Sequence, residues 1–267
     1  MIKSLPNLYS FLHLTRAELS VILDNIDKYY KPVTIPKRKF GEDQVDNKGN
    51  IRYRNLLDPK RSLKITQQKI NNLLQNVSLP DCMYGSVRGK NHILNARKHL
   101  TQKHFLTIDL KDFFSKITHY KVHQMFINNG FSHCTSHILT KLTTIHGSLP
   151  QGAPSSPVIA NLVFMNTTKR LFEFSNRHGI TYTNYLDDQS FSSKYSFKHL
   201  VPEILKIIKE DGFFPSHNKI HYRIYTCEIT GLVVKNNLLD LVPEMKKKIN
   251  TNRYVKAYAK QIQQFNS

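Results

Sequence analysis

Two β-prone stretches of this chain run into aspartate, and they constrain its fold more than any other feature. Residues 105–108, Phe-Leu-Thr-Ile, read as a short buried strand ending at Asp109. Residues 180–192 read as a hairpin with polar Asp187-Asp188 at its turn. If the two are neighbours in one sheet, three carboxylates converge at strand ends. The other signals are mixed. Thr15 and Glu18 form a capping-box pattern ahead of Leu19, Ile22, Leu23 and Ile26 at helical spacing, which predicts an amphipathic first helix. Further helices are predicted around Leu63, Ile70, Leu73 and Leu74, around Ile138, Leu139, Leu142 and Ile145, and over 157–174. A helix over about 197–211 should stop at Gly212, since glycine readily takes a left-handed cap. Strand signals return over 221–226 and 229–234 before a basic helical tail. Helices and strands without a strict βαβ rhythm predict an α+β fold.

Charge narrows the partner. The 267 residues carry 39 Lys+Arg against 19 Asp+Glu, a formal charge of +20 spread along the chain, which favours a polyanion such as nucleic acid. A basic protein that touches acidic membranes is the bland alternative. The segment 32–59 is rich in Lys, Arg, Gly and Pro and is a candidate nucleotide or nucleic-acid grip. Cys82, Cys134 and Cys227 are widely spaced and form no C-x-x-C pair, so neither a disulfide framework nor a zinc site is expected, and a reducing cytoplasm fits. No apolar run approaches the roughly 20 residues that span a bilayer, so no membrane partner is expected.

Carboxylates at that spacing have a chemical use. Phosphoryl transfer from a triphosphate needs two divalent metals, roughly 3.5–4 Å apart, clamping the attacking and leaving oxygens. Mg²⁺ keeps waters and substrate oxygens, so two or three Asp side chains suffice as its protein ligands. Taken singly, each aspartate is equally an ordinary turn residue.

Tyr185-Leu186-Asp187-Asp188 resembles the Y-x-D-D box of reverse transcriptases. Residues 105–114, FLTIDLKDFF, resemble the strand with that family's first catalytic aspartate, and 149–164, LPQGAPSSPVIANLVF, resemble its L-P-Q-G-x-x-x-S-P box. Asn95-Ala96-Arg97-Lys98-His99 is similar to the N-A-x-x-H signature of bacterial retron enzymes, and Ile229-Thr230-Gly231 to their V-T-G box. The motifs fall in the family's order between about Arg52 and Val234.

The resemblance implies a right-hand polymerase. An N-terminal helix would occupy 1–30, fingers 31–104 with help from 135–175, an antiparallel-sheet palm 105–240, and an abbreviated helical thumb 241–267. Asp109, Asp187 and Asp188 would hold two Mg²⁺ ions, with Mn²⁺ the other candidate. Phe114 falls at the family's steric gate against a 2′-hydroxyl. Gln151 and Gly152 would lie beside the incoming dNTP, Arg54 or its rival Arg52 would bind the triphosphate, and Lys219 matches the later active-site lysine. Asn95, His99, Thr230 and Gly231 would contact RNA or the primer end.

The partners implied are a structured non-coding RNA, copied from a guanosine 2′-hydroxyl into branched RNA-linked single-stranded DNA, and a separate effector protein in anti-phage defence. Two alternatives stay open: a non-retron bacterial reverse transcriptase, and an inactive RNA-binding scaffold. Leu186 departs from the alanine usual in retron enzymes, and the short segment after Pro243 departs from their longer thumb.

Overall fold

The computed structural model describes residues 2–39, 42–46 and 48–266. In chain order it begins with helices α1 (Leu5–Leu12) and α2 (Arg16–Asp24), then strands β1 (Tyr30–Pro36), β2 (Arg38–Lys39), β3 (Glu42–Asp43) and β4 (Tyr53–Pro59). Next come helices α3 (Arg61–Leu74) and α4 (His92–Arg97), strand β5 (His104–Leu110), and helices α5 (Phe113–Lys116), α6 (His119–Asn128), α7 (His133–Thr143) and α8 (Ser156–Arg177). The remainder is β6 (Thr181–Tyr185), β7 (Asp188–Ser193), α9 (Val201–Glu210), β8 (Pro215–Ile224), β9 (Thr226–Ile229), β10 (Leu232–Lys235), β11 (Leu238–Leu241), α10 (Pro243–Lys246) and α11 (Arg253–Asn266). Among the described residues no helix is long and apolar enough to cross a membrane.

The chain divides into two compact units: 1–78 with 112–163, and 79–111 with 164–267. These bounds differ from the expected domains. The N-terminal helices belong to the first unit, residues 79–104 to the second, and 241–267 is no separate body. Backbone hydrogen bonding explains the second difference, because residues 82–84 pair alongside β6, about a hundred positions later in the chain.

In the first unit, the capping box forms as the sequence predicts. The Thr15 hydroxyl accepts from the Glu18 N–H, and the Glu18 carboxylate accepts from the Thr15 N–H at 2.8 Å. Strands β1 and β4 pair antiparallel, with Ile35 opposite Arg54. Buried Gln67 of α3 ties this hairpin to α7, its amide donating to the Tyr30 hydroxyl at 2.7 Å and to the Leu142 carbonyl at 2.8 Å. The amide nitrogen is tolerated inside because both its hydrogens are bonded.

The second unit is built on a four-stranded antiparallel sheet in the order β6-β7-β5-β8. Central β5 buries Phe105, Leu106, Ile108 and Leu110, which is why it reads as a near-continuous apolar run. The C-terminal part of α8 is tied to the end of α9, with Phe164 edge-on to Phe213 at 4.9 Å and Thr167 and Arg170 bonded to Asp211. Helix α9 ends before Gly212, whose φ of +75° requires a residue tolerant of the left-handed region. A second sheet, β11-β10-β9, carries the amphipathic α11, which buries Val255 and Ile262. The fold class is α+β, as expected.

Candidate active site

The predicted convergence of the aspartates is built by strand register. Asp109, next to last in β5, lies directly opposite Asp188, the first residue of β7. Tyr185 pairs with Asp188, so Leu186 and Asp187 form a two-residue turn, and the Asp187 carbonyl accepts from the Leu110 N–H at 2.9 Å. One irregularity on the other flank completes the arrangement. Between β5 and β8 the register jumps from Ile108 opposite Ile220 to Leu110 opposite Pro215. Four residues of β8, 216–219, therefore lie against one position of β5. Bulges of this kind re-aim side chains. Here the Ser216 hydroxyl donates to Asp109 Oδ1 at 2.9 Å and the Lys219 ammonium to Asp109 Oδ2 at 2.7 Å.

The electrostatics of the site follow from this crowding. Burial pushes the Asp188 carboxyl up to about 7, the neighbouring Asp187 and Asp109 charges add to the rise, and Lys219 opposes it. A buried carboxyl that resists ionisation beside like charges, as Asp188 does, is relieved by a bound cation, and acceptor-only oxygens are the donor chemistry hard divalent ions require. The residues therefore fit a divalent-metal site. Among the described residues no three His, Cys, Asp or Glu stand grouped so as to hold a metal ion, and Asp109 is engaged by Ser216 and Lys219.

The remaining expected site residues divide between the two units. Arg52, Arg54, Phe114, Gln151 and Gly152 lie in the first. Arg52 and Arg54 are exposed. The Gln151 carbonyl accepts from the Leu57 N–H of β4 at 2.9 Å, which joins the basic hairpin to the L-P-Q-G turn. Gly152 has a φ of +112°, and a Cβ there would meet Leu56 Cβ at 3.2 Å and the Leu57 carbonyl at 3.3 Å. Within its own unit, glycine at 152 is thus needed for strand packing and backbone conformation. Phe114 is half-buried, edge-on to buried Phe113 at 5.6 Å between centroids.

Asn95 and His99 require a correction. Both face inward, at 1% and 0% exposure, so neither offers a surface to RNA. The Asn95 amide donates to the Thr230 hydroxyl at 3.3 Å, and that hydroxyl donates to the His92 carbonyl at 3.1 Å. The two ring nitrogens of His99 lie 2.6 Å from the Ser192 hydroxyl and 2.7 Å from the Thr183 hydroxyl, bracing the base of the hairpin that carries Asp187 and Asp188. Burial holds the His99 imidazole down at about 3. Thr230 and Gly231 form the β9–β10 turn with φ values of +45° and +84°, the double left-handed pattern of a tight hairpin. Sequence reasoning overlooked Ser216, although it stands three residues before Lys219 in the same stretch. It also overlooked Gly85, Asn184 and Gln189, which pack around the aspartate turn.

Comparison with known proteins agrees with this geometry. Residues 35–235 match the family described as reverse transcriptase (RNA-dependent DNA polymerase). The chain is 30% identical over 258 residues to the retron Ec86 reverse transcriptase of Escherichia coli, covering 91% of this chain and 76% of that protein. It is 31% identical over 194 residues to the retron Se72 reverse transcriptase of Salmonella heidelberg, covering 72% of this chain but 48% of that one. The match to the retron Mx162 reverse transcriptase of Myxococcus xanthus likewise spans under half of that relative, 47%, at 28% identity. In fold, the chain is similar to the telomerases of Candida tropicalis, with a TM-score of 0.54 at 12% identity, and Candida albicans, with 0.52 at 11%; the matches cover 77% and 78% of this chain and 46% and 45% of those. The chain belongs to the reverse transcriptase family and, within it, to the retron type.

Proposed function

We propose that this protein copies a structured non-coding RNA into single-stranded DNA by two-metal phosphoryl transfer, and makes the branched RNA-linked product of a retron in anti-phage defence. The observation that carries this reading is the register that sets Asp109 against Asp188 with Asp187 in the adjoining turn. Those three carboxylates would hold two Mg²⁺ ions. Bound ions would supply the Lewis acidity that sharpens the attacking hydroxyl and stabilises the leaving pyrophosphate. The chain's own residues do the rest. Ser216 fixes the rotamer of Asp109 through Oδ1, and Lys219 holds a proton at Nζ beside Oδ2, a cation to balance phosphate charge. Arg52 and Arg54 are assigned to the triphosphate, Gln151 and Gly152 to the incoming dNTP, and Phe114 to exclusion of the ribose 2′-hydroxyl. Thr230 and Gly231 are assigned to the primer end. The +20 charge supports a long phosphate-backbone partner, with affinity that falls steeply as salt rises. A separate effector protein and a cytoplasmic setting complete the proposal.

The test is purification from cells that carry the native locus, for wild type and for Asp187→Asn with Asp188→Asn, followed by RNase and DNase digestion of the bound nucleic acid. Wild type alone should carry a short DNA joined to RNA through an RNase-resistant branch. If both proteins carry only RNA, and supplied dNTPs and Mg²⁺ yield no DNA, the polymerase reading fails and an RNA-binding scaffold replaces it.

A further inference from the structure

The turn that presents Asp187 and Asp188 is gripped from inside and outside by residues with no part in the chemistry assigned above. Inside, Asn184 and Gln189 are fully buried. Their side-chain amides each donate to the Leu186 carbonyl at 2.9 Å. The two are also linked, Asn184 Nδ2 donating to Gln189 Oε1 at 3.0 Å, and the Tyr182 hydroxyl donates to that same oxygen at 2.7 Å. This network captures a residue in an unfavourable conformation. Leu186 has a φ of +56°, a region in which Cβ crowds the following carbonyl.

Outside, residues 82–84 run parallel to the end of β6. The Asn184 N–H donates to the Cys82 carbonyl at 2.8 Å, and the Tyr84 N–H to the Asn184 carbonyl at 2.8 Å. That pairing drives the backbone of Gly85 onto the turn. A Cβ at position 85 would lie 2.7 Å from the Leu186 nitrogen, 2.9 Å from Leu186 Cγ and 2.9 Å from the Tyr185 carbonyl carbon. Gly85 does not share the positive φ of most of the chain's described glycines, so space, not backbone freedom, demands glycine here. Two of the three contacts are backbone atoms of the peptide that leads into Asp187. No side-chain rearrangement can relieve them.

We propose that Gly85, Asn184 and Gln189 are positioning residues that form a socket for Leu186 and thereby set where Asp187 and Asp188 stand against Asp109. The inference rests on the reading of those aspartates as metal ligands. Leu186, bulkier than the alanine usual in retron enzymes, fits because position 85 has no side chain.

Gly85→Ala must displace the peptide between Tyr185 and Leu186. Gln189→Met keeps the volume and removes the grip on the Leu186 carbonyl. Each variant is to be measured by extension of oligo(dT) on poly(rA) with dTTP, by Tb³⁺ titration of the metal site, and by thermal unfolding. The expected result for Gly85→Ala is a fall in kcat of about 100-fold with KM for dTTP little changed, the scale of a misplaced reacting group. Tb³⁺ affinity should weaken by about tenfold in both variants, as when supports of a metal site are lost. Wild-type kcat and wild-type Tb³⁺ affinity in a folded Gly85→Ala protein would overturn the proposal. If that variant does not fold, unchanged Tb³⁺ affinity in Gln189→Met overturns it and weakened affinity upholds it. A wild type that binds Tb³⁺ but makes no DNA sinks the polymerase reading instead, and the Tb³⁺ comparison still judges the socket.

Discussion

Acidification should loosen this protein through one buried imidazole. His99 is fully enclosed between Thr183 and Ser192, and burial lowers its proton affinity from the ordinary 6.5 to about 3. Its folded-state value is depressed, so the neutral ring favours folding above pH 6.5, and that advantage is lost as pH falls from about 6.5 toward 3. Across this window the unfolded chain takes up a proton that the folded chain refuses. At pH 5 the loss is 1.5 units on the unfolded side, about 2 kcal/mol at 1.36 kcal/mol per unit. That is a sizeable share of the 5–15 kcal/mol typical of domains. The perturbation is His99→Gln, which cannot titrate yet can donate and accept hydrogen bonds. Urea unfolding of both proteins at pH 7.5 and pH 5.0 isolates the effect, because every other titrating group contributes alike to both. Wild type should lose about 2 kcal/mol more than the variant between the two pH values. Equal losses would refute the reasoning and mean that water or a rearranged hydroxyl reaches the ring.

Three further outcomes are expected. Asp188→Asn removes a carboxyl held at about 7 by burial and like charge, so in EDTA at pH 8 it should raise the unfolding midpoint, and in separate assays with Mg²⁺ it should abolish extension. Because that folded-state value is raised, the advantage should shrink as pH falls from about 7 toward 3.8, a trend read by thermal melts at several pH values. Ser216→Ala leaves Asp109 Oδ1 without its hydroxyl donor, and the Mg²⁺ concentration for half-maximal extension should rise about tenfold. Phe114→Val should raise incorporation of ribonucleotides over deoxyribonucleotides by about tenfold or more in competition assays, as expected when a pocket wall recedes.

Much of the architecture was legible because its signals are local. The Thr15–Glu18 box, the Gly212 stop and the β5 apolar run each lie within a few residues and formed as read, while the β6–β7 turn falls one residue earlier than read, at Leu186-Asp187, with Asp188 opening β7. The Asp109–Asp188 pairing was accessible only as a conditional, since strand spacing cannot say which strands are neighbours. Asn95 and His99 misled because their placement rests on resemblance to the N-A-x-x-H signature, and a motif match does not say whether its side chains face solvent or the interior. Inside, Asn95 found the hydroxyl of Thr230 in the β9–β10 turn and His99 the hydroxyls of Thr183 and Ser192 on β6 and β7, partners invisible to sequence pattern. The β8 bulge that brings Ser216 to Asp109 leaves no trace beyond an ordinary serine. Gly85 sits in a stretch with other turn-forming residues and gives no sign that its missing Cβ faces the aspartate turn.

The four-stranded sheet has two outer strands, and each meets the surroundings differently. At β6 the backbone is partly occupied by the parallel segment 82–84. At β8 the exposed residues include His217, Asn218, Lys219, His221 and Arg223, a row of polar and cationic groups. An outer strand with free backbone groups is where protein copies adhere to one another, and charge or prior occupation blunts it. Crowded copies of this protein therefore meet a filled margin on one side and mutual repulsion on the other. Both margins of the sheet that carries the aspartates are thus blunted against edge-to-edge pairing.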